Sequence, residues 1–247
     1  MKNHWQQLLL LTVMLLTGAC NNKKSTENST TIKVDTQVFV NPKEESKVGY
    51  ADTVKVNYQD NKEILDIIPL IPDSAMQSWK WSKAERDGFL SSIKASGYFI
   101  DTTKNYNTLL KVTPHYFETQ VVDGVFTVSS YKVNDGSQLI ITCDVVGDGK
   151  KLCAYRIKQN EISQVSLTDL YDTFENYTLQ NPADTKCAEK VEETMPFSDY
   201  DFTGLNTLKI ALPITKAQAN KCLKGNALTL IFNPSTARFD LQNISWN

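Results

Sequence analysis

The stretch between Asn107 and Tyr171 alternates β-rich runs with turn residues, and it constrains the fold more than any other part of the sequence. The runs, rich in Val, Ile, Thr, Tyr and Phe, are NTLLKVTPHYFETQ, GVFTVSSYKV, SQLIITC, LCAYRIK and ISQVSLTDLY. Short β-favouring runs with glycine and asparagine turns between them indicate consecutive antiparallel strands. The sequence therefore predicts a β-meander.

A helix signal precedes this stretch. Ser82 and Glu85 have the spacing of a capping box, which predicts a helix that runs to about Ser96. Helical periodicity predicts a buried stripe made of Ala84, Phe89, Leu90 and Ile93.

Further elements are expected towards the C-terminus. We predict a short helix over 182–193, a strand over 207–214, a helix from a Thr215 cap to Gly225, and a closing hairpin around Asn233. The fold class is therefore α+β, with one antiparallel sheet of five or more strands and two or three packed helices. A mostly β sandwich is the alternative.

The N-terminus, MKNHWQQLLLLTVMLLTGACNN, has the layout of a secretory signal peptide. Lys2 gives the positive start, residues 8–16 form an apolar run, and small residues precede Cys20. The run is well short of the roughly 20 residues that a membrane-spanning helix needs.

The last residues of this leader, LTGAC, resemble the lipobox of bacterial lipoproteins, with Thr17 where the usual pattern has leucine. The resemblance covers the N-terminus alone, and it implies cleavage of residues 1–19 and acylation of Cys20, for example with palmitate. Two or more acyl chains anchor a protein stably without a spanning helix. We therefore expect a lipoprotein of the bacterial cell envelope that faces the periplasm or the cell surface. An ordinary cleaved signal with an incidental cysteine is the alternative.

Residues 20–50 are polar and are expected to be a flexible tether, with a single globular domain over 51–247. A short edge strand through Ile32, Val34, Val38 and Val40 is the alternative for part of this segment. Loss of residues 1–19 removes Lys2 and no acid, which leaves 25 basic and 28 acidic residues and a formal charge of −3. That balance offers no electrostatic field for nucleic acid.

Four cysteines follow Cys20, and an even number in an exported chain favours disulfides. In TCDVVGDGKKLC, a three-residue loop at 147–149 would set Cys143 opposite Cys153 and would place the apolar residues of both strands on one face. We therefore predict the pairs Cys143–Cys153 and Cys187–Cys222.

The same stretch is a poor match to a calcium loop. Asp144, Asp148 and Gly149 fit an EF-hand, but Val146 and Tyr155 stand where two further ligands are needed. We expect neither a metal nor another cofactor.

Residues 196–204, PFSDYDFTG, supply the best candidate for a site. Asp199, Tyr200 and Asp201 offer carboxylates and an aromatic ring for a ligand, although a solvated loop edge is the simpler interpretation. Positions i and i+2 share a face of a strand, so the two acids also suit a glycosidase pair. His115, the one histidine after the leader, is expected to be structural.

The sequence contains no HExxH, GxSxG, P-loop or GxGxxG motif. We therefore expect a non-catalytic module that is held on the membrane by its lipid and binds a small ligand or another envelope protein. A membrane-anchored glycan hydrolase that uses carboxylates is the alternative.

Overall fold

The computed structural model describes residues 53–76, 81–96, 99–101, 107–121, 124–147 and 149–247. All of them belong to a compact unit over Val48–Asn247. The expected leader over 1–19, the lipidation site Cys20 and the tether over 20–50 lie outside the described residues.

The first part of this unit consists of short elements and one longer helix. Strand β1 (Thr53–Lys55) pairs antiparallel with β2 (Phe99–Asp101), and between them lie helices α1 (Lys62–Leu65) and α2 (Lys83–Ser96). Single 3₁₀ turns at 68–70 and 73–75 connect the two helices.

Helix α2 begins with the predicted capping box. The backbone N–H of Ser82 donates to Glu85 Oε2 at 2.7 Å, and the N–H of Glu85 donates to Ser82 Oγ at 3.4 Å. The predicted buried stripe is wrong at Ala84, which is exposed, whereas Arg86 is buried together with Ile93. The apolar pattern missed this face because its largest buried member is a cation.

Acceptors in the preceding segment explain the burial of Arg86. Its guanidinium donates to the backbone carbonyls of Trp81 and Ile71 and to Asp73 Oδ1, the last at 2.8 Å. A charge is tolerated in a protein interior only when it is paired and hydrogen-bonded. Arg86 therefore ties helix α2 to Ile71 and to the 3₁₀ turn that begins at Asp73.

The predicted meander is a six-stranded antiparallel sheet in which neighbours in sequence are neighbours in space. Its strands are β3 (Asn107–Thr113), β4 (Tyr116–Val121), β5 (Gly124–Lys132), β6 (Gln138–Val146), β7 (Gly149–Lys158) and β8 (Glu161–Val165). With the helices around it, this sheet confirms the α+β class.

A second antiparallel sheet of four strands, ordered β12-β11-β10-β9, forms the C-terminal part of the unit. Its strands and the helices between them are α3 (Phe174–Thr178), α4 (Thr185–Thr194), β9 (Asp199–Gly204), β10 (Thr207–Ala211), α5 (Lys216–Ala219), β11 (Ala227–Asn233) and β12 (Arg238–Ser245). The predicted closing hairpin is β11–β12.

Both faces of the six-stranded sheet are covered. The N-terminal core lies between one face and the region of α1 and α2, and includes Ile64, Leu65, Ile68, Ile93, Phe117, Phe126, Val128, Ile140, Cys153 and Tyr155. The C-terminal core lies between the other face and the four-stranded sheet, and includes Tyr131, Leu139, Ile141, Cys143, Val191, Phe202, Leu208, Leu230, Phe232 and Phe239.

The β6–β7 hairpin corrects the predicted Cys143–Cys153 disulfide. Val146 pairs with Gly149, so the loop has two residues and not three, and Cys143 lies opposite Leu152. The left-handed backbone at Gly147 (φ 53°) suits such a two-residue loop. Side chains alternate between the faces of a sheet, so Cys143 faces one core and Cys153 faces the other. Both are free, buried thiols.

The predicted Cys187–Cys222 disulfide is present, with the two Cα atoms 5.3 Å apart. Cys187 lies in the first turn of α4, where its N–H donates to the Asp184 side chain at 3.1 Å. Cys222 lies in a turn and not in the predicted long helix, because α5 ends at Ala219. Thr215 begins α5 as expected, and its N–H donates to Gln218 Oε1 at 2.8 Å.

Candidate functional site

Strand β9, which carries the three candidate residues, forms one edge of the four-stranded sheet. Asp199 and Asp201 therefore lie on a strand, not on the loop edge that was the simpler interpretation. Asp199 pairs with Ala211 and Asp201 with Lys209, and the register shifts towards Gly204 and Thr207. The two acids alternate with Tyr200 and Phe202, so the strand has an acidic side and an aromatic side.

Asp199 is an exposed carboxylate held by a lysine of the other sheet. Its side chain is 84 % exposed, and its Oδ1 accepts from Lys150 Nζ at 2.7 Å. Lys150, in β7, also donates to the backbone carbonyl of Ser198 at 2.6 Å. The lysine thus joins the two sheets and neutralises the first of the two predicted acids.

The Asp201 carboxylate accepts hydrogen bonds from Thr203 on its own strand and lies near Lys209 on the neighbouring strand, β10. Its Oδ1 accepts from the hydroxyl of Thr203 at 2.6 Å and from the Thr203 N–H at 2.9 Å, and Lys209 Nζ lies 3.9 Å from its Oδ2. Burial raises the pKa of the Asp201 carboxyl, but the hydrogen bonds from Thr203 and the nearby lysines outweigh burial, so the pKa lies below its ordinary value. Asp201 therefore stays ionised at neutral pH.

Tyr200 faces away from the two carboxylates. Its ring stacks on that of Phe202, with centroids 6.1 Å apart and planes inclined by 6°, and it packs against the C-terminal core. Burial raises the pKa of the Tyr200 hydroxyl, and the proximity of Cys143 raises it further. The structure thus brings Asp199 and Asp201 to one face of β9 and turns Tyr200 to the other.

His115, which was expected to be structural, makes two contacts through its ring nitrogens. It lies in the turn between β3 and β4, with Nε2 3.2 Å from the backbone carbonyl of Thr203 and Nδ1 3.4 Å from Thr113 Oγ1. The contact with Thr203 links this turn to the outer edge of β9. The two contacts of the His115 ring thus connect the six-stranded sheet to the four-stranded sheet.

A cleft of about 340 Å³ lies where β6–β8 meet the β11–β12 turn, and sequence reasoning did not find it. Two arginines line it, Arg156 from β7 and Arg238 from the first position of β12. The sequence offers one hint of this cleft, which is the rarity of arginine: only three of its 26 basic residues are arginines. That scarcity does not tell which arginines meet, and only the fold brings these two together.

Neither a metal-binding cluster nor a membrane-spanning helix is found among the described residues. No three His, Cys, Asp or Glu side chains within 53–247, leaving aside the gaps given above, are grouped closely enough to hold a metal ion. In the same part of the chain, no helix has the length and apolar character that crossing a bilayer requires.

Comparisons with known proteins found one similar solved structure. No protein-family model matches the chain, and no curated protein matches it. The solved structure is a domain of an uncharacterised protein from Porphyromonas gingivalis, with 13 % sequence identity and a TM-score of 0.46. The match covers 73 % of this chain and 98 % of that one.

Proposed function

We propose that this protein is an exported, lipid-anchored module of the bacterial cell envelope that binds a ligand or a protein partner and does not catalyse a reaction. The leader that ends in LTGAC supports export and acylation of Cys20. The Cys187–Cys222 disulfide also supports export, because disulfides persist in oxidising compartments and are rare in the cytosol.

The surroundings of the two carboxylates on β9, Asp199 and Asp201, are the observation that favours a binding function over glycan hydrolysis. A glycosidase needs one carboxylic acid with a raised pKa that donates a proton and a second carboxylate that is free to act as nucleophile or base. Here the pKa of Asp201 is lowered and Asp199 is ion-paired with Lys150. Asp201 thus has partners at both carboxylate oxygens, and Asp199 has a lysine partner at one.

The charge of the expected mature chain narrows the class of partner. A formal charge of −3 gives no attraction for the phosphates of nucleic acid. We therefore propose a small molecule or another envelope protein as the partner.

Turnover on a panel of glycans tests this function against the hydrolase alternative. We expect no turnover by the wild-type protein or by Asp199→Asn and Asp201→Asn, and we expect native mass spectrometry of the protein from envelope extracts to detect a bound molecule or partner. Glycan turnover that Asp201→Asn abolishes, with an unchanged circular dichroism spectrum, would contradict the proposal.

A further inference from the structure

We propose that the cleft lined by Arg156 and Arg238 binds a small apolar zwitterion, either an apolar α-amino acid or a short apolar peptide. The two sources share a carboxylate, an ammonium group and an apolar side chain. The inference rests on the proposed binding function and assigns that function to a site remote in sequence from β9.

The size and walls of the cleft suit such a ligand. Its volume of about 340 Å³ lies within the range of roughly 300–1,000 Å³ that is common for small-molecule sites. Val165 is the most accessible of the three larger apolar residues that line the cleft, because Leu139 and Leu170 are each only 2 % exposed. Two arginines and Asp169 supply charge. The walls of the cleft therefore combine apolar and charged groups in similar measure.

Hydrogen bonds fix the two chain segments that form the rim. The N–H of Asn134 donates to the Pro234 carbonyl at 3.0 Å, and the N–H of Phe239 donates to the Leu170 carbonyl at 2.7 Å. Asn134 Nδ2 also donates to Ser235 Oγ at 2.9 Å. The β11–β12 turn is thus held before any ligand arrives, and a preformed site loses less entropy on binding.

Arg156 is held in place by its neighbours and retains further donors. Its Nε donates to Ser137 Oγ at 2.9 Å, and one Nη lies 3.1 Å from Asp135 Oδ2. Hydrogen bonds from Ser137, more than the nearby cations, hold the pKa of Asp135 well below its usual range, so Asp135 stays charged. An arginine has five N–H donors in a planar fork, so donors on Arg156 remain for a ligand.

Of the two arginines in the cleft, Arg238 has fewer interactions with the rest of the protein. No hydrogen bond or ion pair to its guanidinium is found within the described part of the chain. The pKa of the Asp172 carboxyl is lowered mainly by hydrogen bonds from Asn176 and Thr173. The positive charge of Arg238 lowers that pKa least, so the attraction between Arg238 and Asp172 is weak. Arg238 is therefore available for the carboxylate of a ligand.

The choice of arginine is informative because this chain otherwise uses lysine. Of its three arginines, Arg86 is buried and structural, and the other two line this one cleft. The planar guanidinium fork binds a carboxylate with two parallel hydrogen bonds, which the ammonium group of lysine does not reproduce.

Asp169 favours a zwitterion over a simple anion. Asp135 already compensates Arg156, so the remaining charges of the cleft are those of Arg238 and Asp169. One positive and one negative group complement a carboxylate and an ammonium. A phosphate dianion would instead bring like charge to Asp169, which is unfavourable.

Ala237, another residue of the wall, has a left-handed backbone with φ 56°. A left-handed conformation is unfavourable for a residue with a Cβ, and here it occurs in the turn that precedes β12. The Ala237 side chain ends at Cβ and therefore occupies little of the cleft.

Titration calorimetry with the full lipidated chain in detergent tests the assignment. The probes are L-leucine, leucyl-leucine, N-acetyl-L-leucine, which lacks the ammonium, L-leucinamide, which lacks the carboxylate, and inorganic phosphate. We expect saturable binding of L-leucine or leucyl-leucine, with the two one-charge analogues at least about tenfold weaker. Whichever of the two zwitterions binds tighter identifies the source.

Variants separate the two roles. Arg238→Gln is expected to weaken zwitterion binding at least about tenfold. Asp169→Asn is expected to weaken binding of the zwitterion but not of N-acetyl-L-leucine, a selectivity that a general structural defect would not produce. Lys216→Gln and Asp87→Asn, outside the cleft, are matched controls that are expected to bind like wild type.

Three results would overturn the assignment: no saturable binding of either zwitterion, binding that neither variant changes, or phosphate as the tightest probe. If these occur while the native protein still carries another bound molecule or partner, the cleft assignment fails and the binding function stands. Glycan turnover that depends on Asp201 would remove the proposed function itself, whatever the titrations show.

Discussion

Gly225 and Gly88 differ in the space that is available for a Cβ atom, so replacing each glycine with alanine is expected to have opposite effects on stability. A Cβ placed on Gly225 would lie 2.4 Å from the carbonyl oxygen of Ser245 and 2.7 Å from Ile244 Cγ2. The neighbouring Asn226 hydrogen-bonds the same carbonyl at 2.9 Å, so the end of β12 is fixed there. A Cβ placed on Gly88, in α2, would meet nothing within 4 Å.

The substitution Gly225→Ala is therefore expected to destabilise the protein by about 1–3 kcal/mol, because it overpacks a fixed contact. Gly88→Ala, the matched control, is expected to stabilise it by about 0.5–1 kcal/mol, since alanine favours a helix interior. Urea denaturation measures both free energies of unfolding. An unchanged or higher stability of Gly225→Ala would contradict the close contact.

The two free thiols allow a second test at this scale. Cys143 and Cys153 are only 5 % and 7 % exposed, and burial, more than any nearby charge, raises the pKa of Cys143 to about 11. We expect neither thiol to react with an alkylating reagent in the native protein at pH 8, and both to react in urea without a reductant. Rapid native labelling would contradict the packing of β6 and β7.

Among the elements, the β6–β7 hairpin shows where sequence reasoning was sufficient and where it failed. The strands and the turn are evident from the β-rich runs and the glycines. The predicted register gathers the apolar residues on one face of the hairpin, which presumes that the opposite face is polar. The sheet is buried on both faces, and Thr142 and Asp144 are buried too, so that criterion did not discriminate between registers.

The candidate sites show the same limit. The sequence placed Asp199 and Asp201 on one side of a short segment, and the structure agrees. The ion pair between Asp199 and Lys150, and the meeting of Arg156 with Arg238, depend on contacts between strands that are distant in sequence. A local pattern contains no information about such contacts.

The Cys187–Cys222 disulfide joins α4 to the turn after α5, and its contribution is testable. It closes a loop with a sequence separation of 35, which corresponds to about 4 kcal/mol by the chain-entropy model. We expect the double variant Cys187→Ala/Cys222→Ala to lose stability of that order in urea denaturation. Reductant is expected to destabilise the wild type but not the variant, and equal stability of the two proteins would contradict the bridge.

For the whole molecule, acidic pH is expected to reduce stability through carboxyls with lowered pKa values. The pKa values of Asp201 and Asp135 are lowered in the folded state. Such groups bind a proton more readily in the unfolded chain, so their contribution is complete above the unfolded pKa of about 3.9 and disappears as pH falls through the lower folded pKa.

We therefore expect the free energy of unfolding to fall below about pH 4, and Asp201→Asn to make that decline shallower. Thr203→Val, which removes the hydroxyl donor but retains the backbone N–H, is expected to give a partial effect. Urea denaturation at a series of pH values measures the slopes. A decline as steep in Asp201→Asn as in the wild type would contradict the role of the Thr203 hydrogen bonds.

The central claim is that the folded unit is exported and attached to a membrane through Cys20, and the intact mass of the protein from its native envelope tests it most directly. After alkylation in urea without reductant, we predict a chain that begins at Cys20 with acyl groups, two alkylated thiols and one disulfide. An unacylated chain from Met1 with all five cysteines alkylated would contradict the claim.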